Sequence, residues 1–128
     1  EFKYDNGYYT IKNLGSGKML DVSGGEYMPG TNVWQYASNG SKAQKWKALV
    51  NEDGSYTFIS VHNGMALDIS GGKILSGSNI QVYMPNNSQA QRFQLEKADI
   101  FEEIVPSGDY YILAKSNSNY GLDIKGGE

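Results

Sequence analysis

The sequence predicts an all-β chain built from copies of a single unit, and three observations predict it. The chain repeats itself at a fixed spacing, clusters of Gly, Asn and Ser cut it into strand-sized pieces, and no stretch carries helical periodicity over three turns. Shifting the chain by 47 positions lays Tyr9-Thr10, Gly17, Leu20-Asp21, Ser23-Gly24-Gly25, Gly30, Asn32, Tyr36, Asn39, Ser41 and Ala43-Gln44 on identical residues. Their partners are Tyr56-Thr57, Gly64, Leu67-Asp68, Ser70-Gly71-Gly72, Gly77, Asn79, Tyr83, Asn86, Ser88 and Ala90-Gln91. Conservative pairs join them: Val22 with Ile69, Val33 with Ile80, Lys45 with Arg92 and Trp46 with Phe93. Coincidence at a single offset on this scale means duplicated structure.

The first copy spans about 8–50, the second about 55–96, and a partial third about 109–128. In the first, strands rich in Tyr, Ile, Val and Thr fall near Tyr8–Lys12, Met19–Val22, Asn32–Tyr36 and Lys45–Leu49, and the second follows 47 residues on. Ser23-Gly24-Gly25 and Ser70-Gly71-Gly72 supply the positive φ of a reversal, which joins the second and third strands of each copy as a hairpin. Gln44-Lys45-Trp46 and Gln91-Arg92-Phe93 set a large aromatic on the fourth strand at the same place. A ring recurring around a pseudo-symmetric centre buries on the order of 150–250 Å² each time, so Trp46 and Phe93 are read as core. The third copy follows a longer connection, Lys97 to Gly108, with Tyr110-Tyr111-Ile112-Leu113 and then Leu122-Asp123-Ile124-Lys125-Gly126-Gly127, and stops at Glu128.

Composition narrows the function. With 128 residues, 16 glycines, ten tyrosines and three prolines, this is one turn-rich folded domain, and its short apolar runs are far below the roughly 20 residues of a bilayer span. A net charge of −3 with scattered lysines and arginines leaves no basic stripe for nucleic acid. The absence of cysteine removes disulfides, thiolate metal sites and a cysteine nucleophile, and leaves the compartment unread from redox chemistry. The chain does not open on a charged-then-apolar leader, so any secretory signal would lie upstream, and its absence here says little about export.

Three copies of Leu-Asp-Val/Ile, joined in the two full units by Gly-Thr/Ser-Asn-Val/Ile, an aromatic soon after, and Gln-x-Trp/Phe, resemble the ricin B-type lectin domain over nearly the whole chain. The resemblance implies a β-trefoil, in which six strands form a short barrel and three hairpins cap one end. The third copy lacks its third strand and its Gln-x-Trp, so the third capping hairpin is incomplete. Glu1-Phe2-Lys3-Tyr4 matches Lys45-Trp46-Lys47-Ala48 and Arg92-Phe93-Gln94-Leu95 in pattern, so residues 1–4 are read as the closing strand of the third lobe, with Phe2 as its core aromatic. The alternative is a cloning remnant with an accidental match. Three full units need more than 128 residues, so the chain is expected to be part of a longer protein. The unpaired edge near Leu122 to Ile124 then invites completion by missing sequence or by self-association.

The resemblance also implies shallow sugar pockets, one per unit, since a carboxylate can accept hydroxyl hydrogen bonds while a ring stacks on the C–H face of a sugar. In the first unit the carry-over falls on Asp21 as acceptor, Tyr36 as platform and Asn39 and Gln44 as flanking amides, with Trp34 a second platform. In the second it falls on Asp68, Tyr83, Asn86 and Gln91, with Gln81 in place of Trp34. Asp123 keeps the acidic position of the third copy, whose pocket is incomplete. Where galactose-binding members carry an Asn before this Gln, the chain has Ala43 and Ala90, which removes a contact to a galactose hydroxyl.

Plainer roles stand beside these. The aspartates fit equally as caps of the Gly-Gly turn, Gln44 and Gln91 as supports of the core aromatic, and Tyr36 and Tyr83 as packing residues. Trp34 points away from Val33 and Gln35 and is expected to be a solvent-facing anchor. Asn39-Gly40-Ser41 and Asn86-Asn87-Ser88 match a glycosylation pattern, but their equal place in the repeat favours turn chemistry. Gly15-Ser16-Gly17-Lys18 fails as a phosphate loop because Lys12 stands where the first Gly is required and Met19 follows the Lys. His62, the only histidine, is read as a turn residue, and neither a metal nor a cofactor is expected.

A glycosidase needs two carboxyls about 5–10 Å apart, whereas one aspartate per lobe sets them too far apart, and Glu102-Glu103 reads as a solvated linker beside Ile104-Val105-Pro106. The expectation is therefore a non-catalytic carbohydrate-binding module of a secreted or cell-surface protein. The competing reading is a trefoil used for protein interaction or spacing, whose sugar sites have decayed.

Overall fold

The structure, a computed structural model, describes residues 1–72, 77–97, 110–114 and 117–121. Among the described residues eleven strands run in chain order: β1 Phe2–Asp5, β2 Tyr8–Ile11, β3 Met19–Val22, β4 Val33–Tyr36, β5 Trp46–Val50, β6 Tyr56–Ser60, β7 Ala66–Ile69, β8 Ile80–Tyr83, β9 Phe93–Lys97, β10 Tyr110–Ala114 and β11 Asn117–Gly121. Only single 3₁₀ turns interrupt them among the described residues. The expected strands of both full units appear with ends moved by one residue or so. Lys12, for example, lies outside β2 and makes an isolated bridge to Met19.

The antiparallel path β1-β2-β5-β6-β9-β10-β11 forms the main sheet, with β7 joined to β6 and β8 paired to β7, while β3 and β4 form a separate hairpin. Each of the two full units thus contributes its first and fourth strands to the path of the main sheet and its middle two to a hairpin, that of the second unit remaining joined to the sheet through β6. Ser23–Gly25 and Ser70–Gly72 form equivalent 3₁₀ turns after β3 and β7, and all four of their glycines have φ between 60° and 71°. A side chain at such φ is disfavoured, which explains the paired glycines. The chain then needs several more residues to return, so the reversal is a loop with a tight start and not a short hairpin turn.

β1 pairs β2 through a two-residue turn in which Asn6 (φ 53°) and Gly7 (φ 92°) both take left-handed conformations. Positive φ at both central positions is the turn whose twist suits a hairpin, and Asn-Gly is its preferred sequence. Phe2 lies opposite Ile11, and Trp46 lies opposite Ser60. Ile11 corresponds to Phe58 and Ser60 to Asn13, so the two registers differ by two residues. An even shift keeps the same face inward, and Phe2 is 1% exposed. Its ring meets Phe58 at 5.8 Å, and Phe58 meets Phe93 at 6.1 Å.

Trp46, Phe58 and Phe93 are fully buried, and the Trp46 indole N–H donates to the Leu20 carbonyl at 3.2 Å. Around them pack Val22, Val33, Leu67, Ile69, Ile80 and Val82 from the two hairpins. The two units also meet directly, for Asn79 Nδ2 donates to Oδ1 of its own counterpart Asn32 at 2.7 Å. The stretches Lys97 to Gly108 (beyond its first residue) and Leu122 to Gly127, including Glu102-Glu103 and Asp123, lie outside the described residues.

Candidate functional site

Strand register builds the site. In the β3–β4 hairpin Asp21 lies directly opposite Trp34, and in β7–β8 Asp68 lies opposite Gln81. Cross-strand partners share a face, so a donor at the second position reaches the carboxylate. Trp34 Nε1 donates to Asp21 Oδ1 at 2.9 Å, and Gln81 Nε2 donates to Asp68 Oδ1 at 3.1 Å. A 3₁₀ turn over Lys42–Gln44, repeated at Gln89–Gln91, delivers the second donor. Gln44 Nε2 reaches Asp21 Oδ2 at 2.8 Å, and Gln91 Nε2 reaches Asp68 Oδ2 at 2.9 Å.

These bonds decide between the roles weighed for the aspartates. Asp21 and Asp68 are each 5% exposed, and their carboxylates bind side-chain donors instead of capping the Gly-Gly turn. Burying a carboxylate is costly without such donors. Two bonds occupy about half of the lone-pair positions of a carboxylate, so each keeps acceptor capacity.

Gln44 and Gln91 require correction as flanking contacts. Each is 1% exposed, and each spends its second amide proton on a backbone carbonyl, Ala37 or Met84, while its oxygen accepts the N–H of Asn39 or Asn86. They hold the aspartates and the following loop, and lie too deep to meet a ligand. Asn39 and Asn86 are both exposed, and each side-chain oxygen takes the N–H two residues on, from Ser41 or Ser88, at 3.0 Å. The two glycosylation-like tripeptides therefore form Asx turns, and the Asn NH₂ groups are the donors they have left.

Trp34 also departs from expectation. It is half-buried, tied by its N–H to Asp21, and stacked on Tyr36 with centroids 5.5 Å apart and planes 12° from parallel. Residues two apart on a strand face the same side, which sets the rings together. In the second unit Gln81 keeps the donor role of Trp34 and loses the ring, and Tyr83 stands 42% exposed.

Asp21, Trp34, Tyr36 and Asn39 line an open cleft of about 510 Å³, which continues to Gly25 and His62. Ala43 closes the wall where the expected Asn is missing. His62 is the contributor that sequence reasoning passed over. It follows β6, its Nε2 lies 2.5 Å from the Gly25 carbonyl, and its ring packs on Tyr27 at 4.3 Å. The one available signal was a break in the repeat, since its counterpart in the first unit is Gly15. A second cleft of 360 Å³, bordered by Lys3, Thr10 and the Lys12–Glu1 ion pair (3.2 Å), holds none of the expected residues.

Among the described residues no group of His, Cys, Asp and Glu is placed to hold a metal ion, and no helix is long and apolar enough to cross a membrane. Among the described residues the carboxyl with a resolved shift lies away from the cleft. Asp53 is lowered to about 2, first by the Ser55 hydroxyl, then by the Ser55 N–H and the Arg92 guanidinium.

Equivalent hairpins around a shared aromatic core, each holding an aspartate against a buried glutamine, define a β-trefoil of the lectin-like class. The chain belongs to the ricin-type β-trefoil lectin domain-like family, whose family model matches residues 1–83 and again 48–128. That family is generally non-catalytic. Among solved structures the chain resembles ThreeFoil, a designed threefold-symmetric protein, at 29% identity and a TM-score of 0.79, covering 88% of this chain and 76% of that one. It resembles the Rhizoctonia solani agglutinin at 25% identity and a TM-score of 0.76, covering 96% and 78%. It also resembles an exo-β-1,3-galactanase from Clostridium thermocellum at 32% identity and a TM-score of 0.68, covering 71% of this chain and only 20% of the galactanase. Among curated proteins none matches significantly.

Proposed function

We propose that this chain is a non-catalytic carbohydrate-binding module, acting outside the cell, which binds glycans weakly through the first-unit cleft and its second-unit counterpart at Asp68, Tyr83 and Asn86, and so carries a larger secreted protein to polysaccharide or cell-surface sugar. One observation carries the reading: a buried carboxylate, Asp21, held by Trp34 and Gln44 at the wall of a cleft that also presents the stacked Trp34–Tyr36 pair. A fixed acceptor beside an aromatic surface is what a sugar, polar at its rim and apolar on its face, requires. Family membership, the agglutinin and the carbohydrate-active galactanase among the similar structures support it. Asp21 is the only carboxylic acid among the residues lining this cleft, so the pair a glycosidase uses is not assembled there.

One ring and a few hydrogen bonds in an open cleft give roughly millimolar affinity, near −4 kcal/mol, and two sites on one polysaccharide add avidity. The test is a glycan array followed by isothermal titration of Asp21→Ala, Asp68→Ala and the double variant. Losing a charge-assisted bond worth about 1.5–3 kcal/mol weakens the altered site about tenfold or more. Unchanged binding in the double variant defeats the site assignment, and a parent chain that binds no glycan supports a protein-interaction role instead.

A further inference from the structure

We propose that the first-unit cleft is a two-lobe site, in which His62 of the second unit is the specificity contact for a second sugar ring, so that the preferred ligand is the end of a glycan chain and not a lone monosaccharide. The proposal rests on the carbohydrate-binding reading above and assigns a residue that the repeated motif does not contain.

His62 breaks the repeat, for a ring stands where the first unit has Gly15. That ring lines the same cleft as Asp21 and Tyr36, although it comes from the turn after β6. Its orientation is set on two sides, by the Gly25 carbonyl at Nε2 and by the face of Tyr27. A carbonyl only accepts, so Nε2 carries a proton, and whenever the ring is neutral Nδ1 is an acceptor. Nδ1 has no hydrogen-bond partner among the described residues and is not sealed from solvent. An acceptor on a ring already held in place loses little freedom on meeting a sugar hydroxyl.

The size of the cleft agrees. Its volume of about 510 Å³ lies within the roughly 300–1,000 Å³ of pockets that enclose drug-sized ligands. Tyr36 with Trp34 and His62 with Tyr27 give two separate aromatic pairs, the second reaching the cleft through His62. The first pair sits beside the Asp21 acceptor and fits the terminal ring, which leaves the Gly25–His62 end for its neighbour.

Because His62 is the only histidine, its ring resonances report contact without assignment. The chain is titrated with galactose, xylose, mannose and N-acetylglucosamine and with the corresponding trisaccharides, following the imidazole signals by NMR and affinity by calorimetry. In the series that binds, the trisaccharide is expected to bind several-fold tighter than the monosaccharide and to move the His62 signals further. His62→Ala is expected to bring that chain-length gain close to unity. If His62→Ala does not fold, the ring signals of the unsubstituted chain decide. Binding that depends on Asp21 but leaves the His62 ring unmoved, or keeps its chain-length gain in His62→Ala, overturns the two-lobe site and leaves the carbohydrate reading standing. Failure of every sugar to bind overturns both.

Discussion

At the scale of single residues, the most informative side chain is one that no ligand touches. Gln44 satisfies three groups at once: the Asp21 carboxylate, the Ala37 carbonyl and the Asn39 N–H. Removing it strands a buried carboxylate oxygen, which alone costs about 1–3 kcal/mol. Gln44→Ala is therefore expected to lower stability by at least that amount in urea denaturation, and Gln91→Ala by a similar amount because its bonds repeat the pattern. A neutral result at both positions would mean that water replaces the amide and that the aspartates are not held. This partnership was only half legible in the sequence. Asp21 and Gln44 stand out because both recur 47 residues on, but nothing in their separation says that they bond to each other. His62 was less legible still, because a residue present once cannot be found by looking for what repeats.

At the scale of elements, turns carry more of the specification than strands do. The strands of both full units were readable to within a residue or so, since alternation and Gly punctuation mark them directly. The β1–β2 hairpin was readable only as a likeness of Phe2 to Trp46, yet Asn6-Gly7 was the stronger local signal, since it dictates the turn whatever the repeat does. The loop between β5 and β6 shows how such a turn is fastened. Asp53 Oδ1 accepts both the N–H and the hydroxyl of Ser55, at 2.9 and 2.5 Å, and Oδ2 meets Arg92 at 3.1 Å. These donors hold its carboxyl near 2, below an ordinary aspartate value of about 3.9. A depressed value in the folded chain means that Asp53 contributes stability above the unfolded value and loses it as pH falls toward 2. Asp53→Asn should therefore lower the urea midpoint at neutral pH, with the two proteins converging as the pH approaches about 2. A difference that persists undiminished at that pH would place the effect in the shape of the loop and not in its charge. Since the Arg92–Asp53 pair is still partly open to solvent and such pairs contribute little, loss of Ser55 should matter more than loss of Arg92.

At the scale of the whole molecule, the units are repeated in sequence but not independent in structure. Phe2, Phe58 and Phe93 come from three different strands of the main sheet and meet in one cluster with Trp46. Asn32 bonds Asn79, and the chain at Gly30 and Thr31 exchanges backbone hydrogen bonds with Val82 of the second unit. Neither unit buries its aromatic residues alone, so both should unfold together. The two tryptophans, Trp34 and Trp46, both belong to the first unit, which makes their fluorescence a local probe, whereas circular dichroism averages over the chain. Phe58, fully buried on β6, belongs to the second. Phe58→Ala should cost about 3–5 kcal/mol, and it should shift the tryptophan transition and the dichroism transition by the same amount. A tryptophan transition that stays in place while dichroism moves would show the units folding separately. The cleft, which draws Asp21 from one unit and His62 from the next, would then lose His62 before Asp21, and cooperative unfolding is what keeps a site built across two units intact.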